Sequence, residues 1–296
     1  MRRAAAGFGV AAAGAAGLAP SAFAGSNVRG ARPETATTAR LRIPSPARGQ
    51  SAFELGVATY SLREFSREEA IAIIKDLGVT NVSVKSFHLP YELSPTELDR
   101  TADEFRDAGL QLVSSGNNSI TEDTDEHVGA FFDYAKAAGI PMLVIAPDPQ
   151  VLPRIESFVK RYDIKVAIHN HGPEDSWYPA PSDAIALIDR MDPRVGVCVD
   201  VGHTARTGKD VVQEISHAGS RVLDVHMKDL RDMSDAESQC AVGEGKMPIA
   251  DIFRQLDEIG FDGSVNLEYE IRPNDPYPGM MQSLSYMRGV RDGLSG

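Results

Sequence analysis

The 296-residue chain has only two cysteines, Cys198 and Cys240, too few for a disulfide framework. Cys198 sits in the apolar run "VGVCVD" and reads as a small buried hydrophobe. Basic residues are also scarce: 30 Lys and Arg stand against 42 Asp and Glu, a formal net charge of −12. Recognition of a phosphate backbone needs clustered cations, so no nucleic-acid partner is expected. No segment is long and apolar enough for a good membrane span. A Gly-rich phosphate loop is missing after the first strand-like segment, where "GVATYSLREFS" stands instead. Its absence removes the usual mark of a nucleotide-binding open sheet.

What is present starts with the N-terminus. Arg2 and Arg3 precede an Ala/Gly-rich apolar stretch that ends in Ala22-Phe23-Ala24. This reads as a secretory signal peptide over residues 1–24, with a twin-arginine-like pair. The expected mature chain begins at or near Gly25 and is exported to the periplasm or beyond, with no membrane attachment after cleavage. Residues 25–52 are rich in Gly, Pro, Ser, Thr and Arg and read as a flexible linker.

From residue 53 to 296 the pattern is regular. Strand candidates fall at 54–60, 81–87, 110–115, 141–146, 165–170, 195–200, 222–228 and 264–270, with amphipathic helical stretches between them. "SREEAIAIIKDLG" and "SPTELDRTADEFRDAG" each open with a Ser followed three residues on by Glu and end in Gly, the start and stop signals of helices. Eight strand–helix units predict a single-domain (β/α)8 TIM barrel. The long segment "DLRDMSDAESQCAVGEGKMPI" would then lie over the active-site face.

In such a barrel the chemistry sits at the C-terminal strand ends, on inward-pointing side chains. Strand side chains alternate with period two, so each segment can be phased. Val166 and Ile168 outward put His169 and His171 inward. Val197 and Val199 outward put Gly196, Cys198 and Asp200 inward. Leu223 and Val225 outward put Asp224, His226 and Lys228 inward. Val265 and Leu267 outward put Asn266, Glu268 and Glu270 inward. Four strands therefore deliver Asp, Glu or His to one rim, a mixed oxygen and nitrogen set that suits a divalent metal.

At these residues the chain resembles the xylose isomerase-like TIM barrel family of sugar isomerases and epimerases, related to endonuclease IV. "VCVDVGH" resembles the family's Asp-x-x-His, giving Asp200 and His203. "VHMKD" resembles its His motif, giving His226 with Lys228 beside it. "GFDGSVNLEYE" resembles the segment in which a Gly stands five residues before the metal-binding Glu, giving Gly263 and Glu268. The resemblance implies a metal held by His169, Asp200, His226 and Glu268, with manganese expected and zinc, cobalt or magnesium as alternatives. It implies catalytic roles for Glu268, His169, His171 and Lys228. Where epimerase-like members carry a metal-binding Glu, this chain has His169, and His171 is an alternative ligand from the same segment.

The expected activity is proton abstraction next to a carbonyl of a small carbohydrate, with isomerisation or epimerisation as the outcome. The alternatives are a lyase or hydratase acting on 3-keto-glycosides and a non-catalytic periplasmic sugar-binding protein. Loss of the usual carboxylate leaves Glu268 as the one expected carboxylate base, which disfavours two-base epimerisation. Endonuclease-like phosphodiester cleavage is opposed by the acidic charge and the signal segment. His203, Lys85, His88 and Trp177 are candidate substrate contacts, each with a rival reading as rim packing or a solvated surface. Oligomerisation is compatible with everything read here.

Overall fold

The computed structural model describes residues 51–294, so the signal segment and nearly all of the linker lie outside the described residues. Ser51, expected in the linker, already donates a hydrogen bond to Asp257 Oδ2 at 2.8 Å, and Phe53 is fully buried. Ser51 and Phe53 are thus both tied to the described barrel.

Eight parallel strands close into a barrel: β1 (Glu54–Ala58), β2 (Asn81–Val84), β3 (Gln111–Ile120), β4 (Met142–Pro147), β5 (Lys165–His169), β6 (Val195–Asp200), β7 (Val222–Met227) and β10 (Ser264–Leu267). Their order around the barrel is β1-β10-β7-β6-β5-β4-β3-β2. Helices α1 (Arg67–Asp76), α2 (Pro95–Asp107), α3 (Asp125–Ala137), α4 (Leu152–Tyr162), α5 (Pro181–Ile188), α6 (Val201–Arg206), α7 (Val211–Ala218), α8 (Ile249–Glu258) and α9 (Tyr277–Leu294) connect or follow them. Local signals set their ends. Ser66 and Ser94 form full capping boxes with Glu69 and Glu97. Gly78 and Gly109 stop the same two helices at positive φ, where a side chain would be strained. No described helix is long and apolar enough to cross a membrane.

The main core lies between strands and helices. Val166, Ile168, Val197, Val199, Val225, Val265 and Leu267 all join it, as their phase requires. Leu223 does not. It packs inside the barrel on Met142, Val144, Ala167 and Cys198. The β6–β7 ladder steps from Val197↔Val222 to Cys198↔Asp224, so Leu223 is an extra residue in a bulge. Gly196 makes the room: a Cβ there would lie 2.6 Å from Leu223 Cγ. Cys198 and Cys240 are both free and buried.

The long segment after β7 is not structureless. Short strands β8 (Asp229–Leu230) and β9 (Gln239–Cys240) pair antiparallel within it. Asp229 fastens the far end. Its carboxylate accepts the backbone N–H groups of Gly243, Gly245 and Met247 at 2.9, 3.0 and 3.0 Å.

Candidate metal centre and cleft

Four strand ends meet at the mouth of the barrel. One ligand atom each from His169, Asp200, His226 and Glu268 lies within 4.8 Å of the others, and all four residues are buried. His169 Nε2 is 3.0 Å from His226 Nδ1 and 3.5 Å from Asp200 Oδ2. His226 Nδ1 is 3.3 Å from Glu268 Oε2. Donors bound to one cation at about 2.1 Å stand roughly 3.0–3.4 Å apart, so this set fits a divalent metal. Asp200 supports the fit. Its Oδ1 accepts the His203 backbone N–H at 2.8 Å and caps α6, which leaves Oδ2 turned into the cluster, 3.5 Å from His169 Nε2.

Local structure holds each group in place. Asn170, the middle of "HNH", clamps β5 to β6: its Oδ1 accepts the Asp200 N–H and its Nδ2 donates to Thr204 Oγ1. With Asn170 turned to that task, His169 joins the cluster and His171 stands on the cleft wall. Gln239 of β9 clamps the chain after β10, donating to the Glu268 carbonyl and accepting the Glu270 N–H. Gly202 leaves space for Lys228, whose Cδ would lie 2.9 Å from a Cβ at that position.

Lys228, expected in a catalytic role, lies among the carboxylates. It is absent from the cleft lining, and its Nζ lies 3.0 Å from Asp200 Oδ2, Glu268 Oε2 and Glu270 Oε1. Burial opposes its charge, but the three carboxylates hold its pKa well above the ordinary lysine value. Burial likewise opposes ionisation of Asp200 and Glu268. For Asp200, His203 and Lys228 outweigh that effect; for Glu268, Lys228 and His226 do, and both carboxyls titrate well below their usual range. The two imidazoles diverge. Burial pushes His169 well down. Burial also opposes charge on His226, but Cys198 and Glu268 push it well up. The Cys198 thiol is itself raised by burial to about 12 and stays neutral, so the Glu268 carboxylate carries the effect on His226.

Beside this cluster opens a cleft of about 230 Å³, lined by His169, Glu268, His171, His203, Lys85 and three further residues. Those three are Tyr60, Asn117 and Glu270. Lys85 Nζ sits 5.5 Å from the centre of the Tyr60 ring and donates to the Asn117 carbonyl at 3.4 Å; burial lowers its pKa. Two expected contacts are elsewhere. His88 is buried, with Nε2 3.0 Å from the Phe65 carbonyl oxygen, because the turn after β2 folds it inward. Trp177 is 56% exposed and does not line the cleft, since Asp175 holds its backbone in a surface turn. Tyr60 and Asn117 were not singled out in the sequence. Tyr60 lies in the turn after β1, and Asn117 lies beyond a register shift in β3. The polar pair Asn117-Asn118 past the apolar part of that strand was the available signal.

Residues 61–290 match the family model described as xylose isomerase-like TIM barrel, and the chain belongs to that family. A Streptomyces coelicolor protein, provisionally named hydroxypyruvate isomerase, is 32% identical over 111 residues, covering 35% of this chain and 37% of that protein. The matched segments span about a third of the length of the curated relatives. Among solved structures, an L-ribulose 3-epimerase aligns with a TM-score of 0.67 at 15% identity, covering 82% of this chain and 95% of its own. The IolI protein, whose structure holds a zinc atom, aligns with a TM-score of 0.68 at 16% identity, covering 81% and 99%. At these identities the two structures share the fold.

Proposed function

We propose that this member of the xylose isomerase-like TIM barrel family is a divalent-metal-dependent enzyme that moves a proton next to the carbonyl of a small carbohydrate, as an isomerase or epimerase does. The observation that carries the reading is the convergence of His169, Asp200, His226 and Glu268 from four strands beside a cleft of monosaccharide size. A cation held by these four residues supplies Lewis acidity to a carbonyl and its neighbouring hydroxyl. Two imidazoles and two carboxylates suit manganese, zinc or cobalt better than magnesium, which favours oxygen donors and water.

The chain's own groups fit that task. Lys228 neutralises Asp200, Glu268 and Glu270 without entering the cleft, so the carboxylates stay ionised and aligned. Lys85 and His203 stand on the cleft lining where substrate oxygens would lie. The lining has no cluster of free cations, which favours an unphosphorylated sugar. The relatives named for isomerisation of hydroxypyruvate and epimerisation of L-ribulose support the reaction class.

The test is metal analysis of the purified protein, followed by solvent-deuterium incorporation into hydroxypyruvate, ketoses and 3-keto-glycosides. The expected result is a stoichiometric divalent metal and exchange into at least one of these compounds. A protein without metal, and without exchange after addition of Mn, Co or Zn, would leave a sugar-binding protein in place of the enzyme. Loss of a β-substituent in place of simple exchange would make the outcome that of a lyase.

A further inference from the structure

We propose that His171, oriented by Asp175, is the group that takes and returns the proton in this cleft, and that Glu268 is confined to holding the cation. The proposal rests on the proton-transfer reading above and names the base within it.

The geometry separates the two groups. Glu268 is nearly buried, and its Oε2 is held by Lys228 Nζ at 3.0 Å and His226 Nδ1 at 3.3 Å. A carboxylate oxygen that already faces Lys228 and would also hold the cation has little left to offer a substrate proton. His171 lines the cleft, its side chain is about a third exposed, and it belongs to no metal-ligand group. β5 and β10 are three places apart around the barrel, so the two groups come from different walls.

His171 is also held in one tautomer. Asp175 Oδ2 lies 3.2 Å from His171 Nδ1. An ionised carboxylate only accepts, so Nδ1 carries the hydrogen and Nε2 keeps its lone pair. Asn117 agrees: its Nδ2 is 2.8 Å from His171 Nε2 and donates to that lone pair. Asp175 is itself fixed, because its Oδ1 accepts the backbone N–H groups of Trp177 and Tyr178 at 2.8 and 3.0 Å. The result is a carboxylate–imidazole dyad on the cleft wall whose unprotonated nitrogen is covered only by the Asn117 amide, which a substrate C–H must displace before the imidazole acts as a general base.

Asn117 adds an independent mark. Its Oδ1 is buried and has no hydrogen-bond partner. When Nε2 gains a proton it changes from acceptor to donor. Rotating the Asn117 amide by half a turn brings Oδ1 to face it, so the orphaned oxygen acquires a partner in the protonated state. One side chain thus serves both states of His171. In the step itself, the C–H bond next to the carbonyl breaks and its proton forms the Nε2–H bond. The electron pair becomes the C=C bond of an enediolate, and the carbonyl π pair moves to oxygen. Return of the proton to carbon regenerates neutral His171.

The test is Asp175→Asn, compared with Asp175→Glu and the natural protein. Asn can keep Oδ1 on the two backbone N–H groups, and it then presents Nδ2 to His171. That reverses the tautomer without disturbing the turn. Nitrogen-15 NMR of labelled imidazoles should show Nε2 unprotonated in the natural protein and in Asp175→Glu, and protonated in Asp175→Asn. In deuterium exchange into hydroxypyruvate or a ketose, kcat should fall by roughly 10²–10⁴-fold in Asp175→Asn with KM little changed, and Asp175→Glu should recover part of the loss. An Nε2–H tautomer in the natural protein, an unaltered tautomer in Asp175→Asn, or full exchange by His171→Gln would overturn the proposal. If the natural protein exchanges none of the probes, the enzyme reading fails, and the tautomer measurement alone decides the dyad.

Discussion

Two polar layers sit one above the other inside this barrel, and they are finished differently. In the lower layer, Asp224 Oδ2 accepts from Ser114 at 2.8 Å and Oδ1 accepts from Asn266 at 2.7 Å and from the Val225 N–H at 2.9 Å. Ser264 donates to Asn266, and Asn81 donates to Ser264. Every donor there has an acceptor. Two residues further along the same two chain segments, the upper layer holds His226 and Glu268 with His169 and Asp200, where Lys228 Nζ meets Asp200 Oδ2 and Glu268 Oε2 at 3.0 Å and His169 Nε2 faces His226 Nδ1 at 3.0 Å. The lower layer is closed by its own hydrogen bonds, while the upper one crowds two imidazoles and two carboxylates within 4.8 Å, an arrangement that a cation would complete. Residue type alone does not separate an Asp that completes a network from one that waits for a cation.

That contrast can be broken by substitution. The largest effect is expected in the upper layer: Asp200→Asn or Glu268→Gln should lower metal affinity and activity together, activity by roughly 10²–10⁴-fold, with a folded barrel by circular dichroism. The next is in the lower layer. Asp224→Ala leaves Ser114 and Asn266 without their buried acceptor and should destabilise the fold by roughly 2–4 kcal/mol in urea unfolding, while the metal affinity of the folded protein holds. Equal loss of metal affinity in both variants would erase the distinction between the layers.

The smallest effect concerns pH, and its sign differs for the protein with and without metal. The folded pKa of His226 is raised, so in the metal-free protein it contributes stability that is complete below the ordinary imidazole value and lost as pH rises through the folded one. Metal binding needs the same nitrogen unprotonated, so apparent affinity should fall by about tenfold per pH unit below that folded value. Isothermal titration at several pH values, with buffers of different ionisation enthalpy, counts the released proton. An affinity flat across the neutral range would mean that His226 is not a ligand.

Much of the upper layer was legible in the sequence because its phase is local. Val166 and Ile168 outward force His169 inward, and the pleat does the same for Asp200 and Glu268. The phase fails at Leu223, where a bulge depends on the neighbouring strand and on the missing Cβ of Gly196. Asp224 and Asn266 had the right phase, but nothing in the chain marked them as satisfied, since Ser114 is 110 residues from Asp224. Loop residues were harder still. Tyr60 reaches the cleft through a turn with no fixed period, Asn117 reaches it past a register shift in β3, and His88 turns inward from the turn after β2. Lys228 points inward as its phase requires, but its three carboxylate partners come from other segments and could not be read from its own strand.

The Asp229 carboxylate, three residues beyond His226, binds three amides of the segment that closes the loop after β7. Releasing any one of those amides leaves the carboxylate tied by the others, so the far end of the loop cannot fray residue by residue. The Gly243, Gly245 and Met247 amides should therefore exchange with solvent at one common rate, as a single cooperative opening unit. Gly245 cannot accept a side chain without breaking that unit, because a Cβ would stand 2.1 Å from Asp229 Oδ1. Residues 231–238 lie between Asp229 and the amides it binds, so the clamp closes the base of the loop and leaves its tip outside the cooperative unit.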